Sequence, residues 1–289
     1  MKPAPFEYHR PATVEEALDL LARHGYDAKL LAGGQSLVPA MNFRLAQPAV
    51  LVDLNRVEEL DYLREEPGLL RVGAMTRQRA AERSDAVARG APLLAGTLPW
   101  VAHPQIRNRG TVGGSVAHAD PAAEIPTVML ALDARFLLRG PGGERTVRAE
   151  EFFTGLFGTS LEPDEILVEV EIPAPGPGSG WAFDEVSRRH GDYALAGAAA
   201  VVTLDGAGRC TDARVVLLSV GGGPVLAAGA AAALVGEAPS EDAVRAAADA
   251  VGREIDPPAD IHASAAYRRR LAEVLVRRVL PRAFERARS

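Results

Sequence analysis

Val14, Ala17, Leu18 and Leu21 recur at the three- and four-residue spacing of one helical face. Thr13-Val14-Glu15-Glu16 opens that stretch as a capping box. The Thr hydroxyl takes a free N–H of the first turn and the Glu carboxylate reaches back. The pattern predicts a helix ending near His24-Gly25. Residues 28–32 form a short apolar run closed by Gly33-Gly34, as in a buried strand running into a tight loop. Residues 35–44 start a short helix and 49–54 make a second strand, which gives a β-α-β-type N-terminal unit.

Further along, 62–64 and 69–73 flank Glu65-Glu66-Pro67-Gly68 as a hairpin. Helices are expected at 76–82, 92–97 and 126–132. Strands are expected at 134–139, at 144–147 returning across Gly140-Pro141-Gly142-Gly143, and at 166–172. Pro173-Ala174-Pro175-Gly176-Pro177-Gly178-Ser179-Gly180 is the strongest linker signal and marks a boundary. After it, 181–187, 194–204 and 213–219 read as antiparallel strands, and Gly221-Gly222-Gly223-Pro224 as a strand-end turn. The Ala-rich remainder reads as helices, one capped at Ser240 and a long last one over 264–284. The expected units are 1–56, 57–175 and 176–289.

Composition narrows the class. The chain has 289 residues, too many for one ordinary core. It is 47% hydrophobic and 24% charged, the balance of a globular protein. A net charge of −6 excludes nucleic acid as a main partner, because phosphate backbones need clustered positive charge. The basic stretch 268–288 reads as a solvated helix face. A single cysteine, Cys210, rules out an internal disulfide and any Cys-rich zinc or iron–sulfur motif, and is expected to be an inert strand or turn residue. No stretch reaches the roughly 20 apolar residues needed to span a bilayer. The start of the chain lacks the apolar core of a signal peptide. The expectation is a cytoplasmic protein, with peripheral membrane association left open.

Two glycine-rich segments carry the candidate chemistry. The first is Leu31-Ala32-Gly33-Gly34-Gln35-Ser36-Leu37, and the second is Arg107-Asn108-Arg109-Gly110-Thr111-Val112-Gly113-Gly114-Ser115. Glycines let the backbone bend tightly and approach a ligand, and successive N–H groups can then face an anion. Either segment alone reads equally well as a structural turn. Two together suit a ligand with a long phosphate-bearing spine, so a dinucleotide fits better than a mononucleotide. No G-x-x-x-x-G-K-[ST] and no G-x-G-x-x-G heading a βαβ unit are present, which excludes the P-loop and Rossmann modes. No acid–base pair, nucleophile or metal-ligating cluster stands out.

The first segment, continuing Val38-Pro39-Ala40-Met41-Asn42-Phe43-Arg44-Leu45, resembles the first FAD loop of the medium subunit of xanthine-dehydrogenase-type molybdenum hydroxylases. His103-Pro104-Gln105-Ile106 through Ser115, continuing to Ala117-His118-Ala119-Asp120-Pro121-Ala122-Ala123-Glu124, resembles its second, nearest to the aerobic carbon monoxide dehydrogenase type. The likeness spans the whole chain. It implies an α+β, vanillyl-alcohol-oxidase-like fold in which two α+β subdomains clamp a non-covalent FAD. A C-terminal domain of a three-stranded antiparallel sheet and helices covers the flavin. It also implies a large molybdopterin subunit and a small subunit with 2Fe–2S clusters as partners, in a heterotrimer that dimerises. Electrons would pass from the clusters to the flavin and on to quinone, O2 or NAD.

The resemblance assigns roles by position. The N–H groups of Gly33, Gly34, Gln35 and Ser36 and of Gly113, Gly114 and Ser115, with the Thr111 hydroxyl, are expected to cradle the pyrophosphate. Ala32, Leu37 and Ala117 border the ligand. Asp120 accepts from ribityl or ribose hydroxyls, or else caps a helix before Pro121. Tyr193 shields the isoalloxazine, or else packs at a strand end. His118 reads as a flavin contact or a core histidine, and Lys29 and Leu30 as backbone contacts to the adenosine side. Arg107 and Arg109 read as structural residues or tethers of nearby carbonyls, with phosphate ligation as the alternative. Gln35 stands where carbon monoxide dehydrogenases often carry His, which loosens the substrate assignment and leaves the FAD assignment intact. The competing readings are a stand-alone flavin oxidoreductase with its own substrate pocket, and an assembly subunit that has lost the flavin.

Overall fold

The computed structural model describes residues 1–289. The N-terminal unit contains β1 (Glu7–His9), α1 (Val14–His24), β2 (Ala28–Leu31), α2 (Leu37–Asn42) and β3 (Val50–Asp53). Thr13 caps α1 as its spacing predicts, its hydroxyl accepting from the Glu16 N–H at 3.1 Å. β3 runs in the middle, parallel to both neighbours, in the order β1-β3-β2. The sequence pattern misses β1, which has three residues and no apolar alternation. It is held from outside, by the ladder to β3 and by a hydrogen bond from the Tyr8 hydroxyl to Asp53.

The middle region carries β4 (Leu63–Glu66), β5 (Leu69–Gly73), α3 (Gln78–Glu82), α4 (Asp85–Gly90), α5 (Pro92–Thr97), α6 (Pro104–Arg107), α7 (Val112–His118) and α8 (Glu124–Ala131). Then follow β6 (Arg135–Gly140), β7 (Gly143–Arg148), α9 (Ala149–Phe152), β8 (Phe153–Gly155), β9 (Gly158–Thr159) and β10 (Ile166–Pro173). Five strands form an antiparallel sheet in the order β4-β5-β10-β6-β7. A bulge in β10 between Leu167 and Glu169 switches its alternation. Ile166 and Val168 therefore face the 12-residue N-terminal core, while Val170 and Ile172 face the 31-residue central one.

The last region carries β11 (Ser179–Ser187), β12 (Ala194–Leu204), β13 (Cys210–Leu218), β14 (Val225–Leu226), α10 (Ala228–Ala232), α11 (Glu241–Glu254) and α12 (Ala265–Ala287). Its sheet is the expected three antiparallel strands plus the two-residue β14. Both faces are buried. Ala182, Ala196, Ala198 and Ala200 point to a 27-residue core shared with α11 and α12. Phe183, Ala199, Val216 and Leu218 point into the central core with α5 and α8. Each such large apolar side chain contributes roughly 1.5–3 kcal/mol on full burial.

Arg270, Arg278, Arg282, Arg286 and Arg288 of the C-terminal basic stretch are exposed, as a solvated face requires, and Arg268 is the exception. Arg268 is buried, donating to Leu195 O at 2.6 Å and to Asp260 at 2.7 Å. The Arg286 guanidinium lies 3.8 Å from the Trp181 ring centroid. No helix is long and apolar enough to cross a membrane.

Candidate functional site

The first glycine segment leaves β2 and turns at Gly34, whose φ of 74° suits glycine. None of the N–H groups of Gly33, Gly34, Gln35 and Ser36 has an acceptor within the chain. Ser36 precedes α2 without capping it, so its hydroxyl is also uncommitted. Gln35 turns back and donates from Nε2 to Gly33 O at 2.9 Å. A cavity of about 300 Å³ opens against this loop, lined in part by Ala32, Gly33, Gly34, Gln35 and Arg109. A larger cavity of about 460 Å³ lies between α11 and α12, away from the glycine segments.

The second segment departs from the expected open turn. Thr111 is the N-cap of α7, and the paired glycines sit in that helix's first turn. Their N–H groups are already used. Gly113 donates to Ala74 O at 2.9 Å, Gly114 to Thr111 Oγ1 at 3.0 Å, and Ser115 to Thr111 O at 3.2 Å. Gly113 faces inward, where a Cβ would lie 2.5 Å from the Ala74 Cβ, so packing requires this glycine. What the segment still offers is hydroxyl chemistry. Thr111 accepts from Gly114 but keeps its own proton to donate, and the half-buried Ser115 makes no side-chain hydrogen bond within the chain.

The fold brings the two segments into contact. A Cβ on Gly33 would stand 2.5 Å from Arg109 O and 2.7 Å from Gly110 Cα. A Cβ on Gly114 would stand 2.5 Å from Thr111 Oγ1 and 3.2 Å from Ala32 Cβ. The junction is tied by residues that motif reading misses. Asn55 donates to Ala32 O at 2.9 Å. Arg77 reaches Asn55 Oδ1 and Arg109 O, both at 2.5 Å, and its backbone bridges to Thr111. Burial, then the neighbouring Arg109 charge, draws the Arg77 guanidinium below its ordinary range. Burial opposes ionisation of Asp53 beneath this knot, but hydrogen bonds from Tyr8 and Asn55 prevail and hold its carboxyl below the usual range.

Arg107 is buried and spent on structure. It pairs with Glu82 at 2.8 Å and donates to Val101 O at 2.7 Å. Arg109 instead lines the cavity together with the first glycine segment, and its charge acts on Arg77. Asp120 follows α7, and one of its carboxylate oxygens accepts from Ala122 N at 2.9 Å while the other is open. Tyr193 lies near Asp120 and Glu124 and is 69% exposed. Its phenol is pushed up by desolvation and then by those two carboxylates. Desolvation pushes the His118 imidazole down. Where the C-terminal sheet meets α8, burial raises Glu124 to about 7. Burial, followed by the charges of Glu124 and Asp184, raises Glu185 to about 9. The Oε2 of Glu185 is buried with no partner.

Free N–H groups, a narrow wall of glycines and a nearby arginine suit a diphosphate-bearing dinucleotide. Residues 4–175 match the family model described as the FAD binding domain in molybdopterin dehydrogenase. Residues 181–283 match that of the CO dehydrogenase flavoprotein C-terminal domain. The chain therefore belongs to the FAD-binding medium subunits of molybdenum hydroxylases of the carbon monoxide dehydrogenase type; it is an oxidoreductase subunit whose cofactor is FAD. It is 46% identical to the 6-hydroxypseudooxynicotine dehydrogenase complex subunit alpha of Paenarthrobacter nicotinovorans, covering 100% of this chain and 97% of that one. Among solved structures, carbon monoxide dehydrogenase from Hydrogenophaga pseudoflava superposes with a TM-score of 0.97 at 44% identity, covering 99% of each chain. Quinoline 2-oxidoreductase from Pseudomonas putida 86 superposes at 0.95 with 42% identity, covering 100% of each.

Proposed function

We propose that this chain is the electron-relay subunit of a heterotrimeric, dimerising molybdenum hydroxylase in the cytoplasm. It takes electrons from 2Fe–2S clusters in a small subunit and passes them to quinone, O2 or NAD. Substrate oxidation takes place in a large molybdopterin subunit. The observation that carries this reading is the run of uncommitted N–H groups from Gly33 to Ser36, closed in by Arg109 and Gly110. These groups, with the Ser36, Thr111 and Ser115 hydroxyls and the Arg109 charge, hold the pyrophosphate non-covalently. The open oxygen of Asp120 accepts from a ribityl or ribose hydroxyl, and Tyr193 covers the isoalloxazine. Bound FAD supplies the electron-accepting and electron-passing chemistry, while the protein sets its position and surroundings.

Two observations support the reading that the substrate is oxidised in another subunit. The one carboxylate lining the cavity beside the free N–H groups, Asp53, is already engaged by hydrogen bonds from Tyr8 and Asn55. The three relatives carry names with three different substrates, 6-hydroxypseudooxynicotine, carbon monoxide and quinoline, on one fold. The test is purification of the chain with the products of its neighbouring reading frames. The expected result is a yellow complex that releases one FAD per chain on denaturation and contains molybdenum and iron. A colourless complex would sink the flavin reading. A yellow chain that purifies alone and turns over a substrate would favour the stand-alone oxidoreductase.

A further inference from the structure

The β8–β9 hairpin has a well-anchored root and an unsupported tip. At the root, Phe152 and Phe153 pack on Phe136 with ring centroids 4.5 and 5.9 Å away. At the tip, Leu156 is 71% exposed and Phe157 52% exposed. Phe157 also holds a φ of 52°, the left-handed region that a bulky side chain rarely adopts. Its ring leans on His118, with centroids 5.1 Å apart. His118 ends α7, the helix that Thr111 caps and that leads into Asp120. From the other side, the Gly221-Gly222-Gly223 turn comes up beneath the tip, where a Cβ on Gly222 would lie 3.3 Å from Leu156 N. That turn is pinned beside the Asp120 segment by Ser219 N donating to Pro121 O at 2.8 Å.

We infer that the Leu156–Phe157 tip is a size filter over the flavin site, and that the Phe157 ring determines which electron acceptors reach the cofactor. The inference rests on the FAD reading above. The ring stands at the end of α7 that leads into Asp120, beside which Tyr193 lies, so in the reading above, where Tyr193 covers the isoalloxazine, the tip borders that half of the cofactor and not the pyrophosphate. A ring parked on His118 narrows the approach for planar acceptors such as quinones and leaves O2 free to pass. The glycine turn supplies a floor without side chains, against which the tip can shift.

The test uses the whole complex, reduced with dithionite and mixed rapidly with either O2 or a water-soluble benzoquinone. FAD per chain is measured separately. Phe157→Ala is expected to raise the quinone-to-O2 ratio of reoxidation rates by about fivefold. Phe157→Trp is expected to lower it, and both are expected to keep full flavin. A ratio unmoved by either substitution overturns the filter. Loss of flavin from both variants also overturns it, by making the tip part of the binding wall. A wild-type complex without flavin overturns the underlying FAD reading instead.

Discussion

The two glycine segments use the same residues for opposite purposes. In the first, the chain turns at Gly34 and leaves its N–H groups for something outside the chain. In the second, Thr111 caps a helix and every N–H from Gly113 to Ser115 is consumed internally. In the proposed site the first is the cradle, and the second is the wall it is built against. Paired glycines mark close approach in both, to Arg109 O and Gly110 in one and to Ala74 and Ala32 in the other.

The contrast is open to direct attack. Gly33→Val is expected to do most damage, since its Cβ would meet Arg109 O and Gly110 Cα, both backbone atoms that cannot step aside. FAD content should fall to background, with a stability loss of about 1–3 kcal/mol in thermal melts. Gly114→Val should also empty the site, because its side chain breaks the Thr111 cap and presses on Ala32. Wild-type affinity in that variant would mean the second segment is no wall to the cofactor.

Matched hydroxyl deletions should separate the two roles. Thr111→Val loses a cap and about 1 kcal/mol of stability. Ser36→Ala, which loses no cap, should keep its melting temperature while binding FAD about tenfold more weakly, or ~1.4 kcal/mol. Equal melting losses in the two would erase the distinction.

Glu185 serves as a control outside both loops. Its folded pKa is raised to about 9, so the favourable protonated state prevails at low pH. Its stability contribution is lost as pH climbs from the ordinary carboxylate range through about 9. Glu185→Gln should therefore raise the melting temperature by about 3 °C at pH 9, leave it unchanged near pH 5, and leave flavin content unaltered. A pH-independent gain would refute the buried acid. The smallest effect on binding is expected from Tyr193→Ala. FAD content should hold while flavin reoxidation by O2 or NAD changes, and an unchanged rate would deny the ring a shielding role.

Much of this was legible in the chain itself. The strand-glycine-glycine pattern at Leu31–Gly34 needs only local chemistry, and β11 to β13 declare themselves by composition. Helix α7 did not, because two glycines depress helix propensity and look like a turn, while the reason they are tolerated, contact with Ala74, lies far away in sequence. Asn55 and Arg77 were invisible for the same reason. Their value is a knot between segments that only the fold brings together. Arg268 looked solvated because an arginine-rich helix gives no hint of which guanidinium turns inward to meet buried carbonyls.

The doubly buried sheet of β11 to β13 bears on how the chain melts. Two family models divide the sequence near residue 180, yet the central core runs across that division, joining Leu93, Leu98 and Val128 to Phe183, Val216 and Leu218. Cutting there would strip one whole face from the sheet and expose it to water. The shared core thus crosses the modular boundary. The central and C-terminal regions should unfold as one cooperative unit, giving a single calorimetric transition, and neither half expressed alone should stay monomeric in solution.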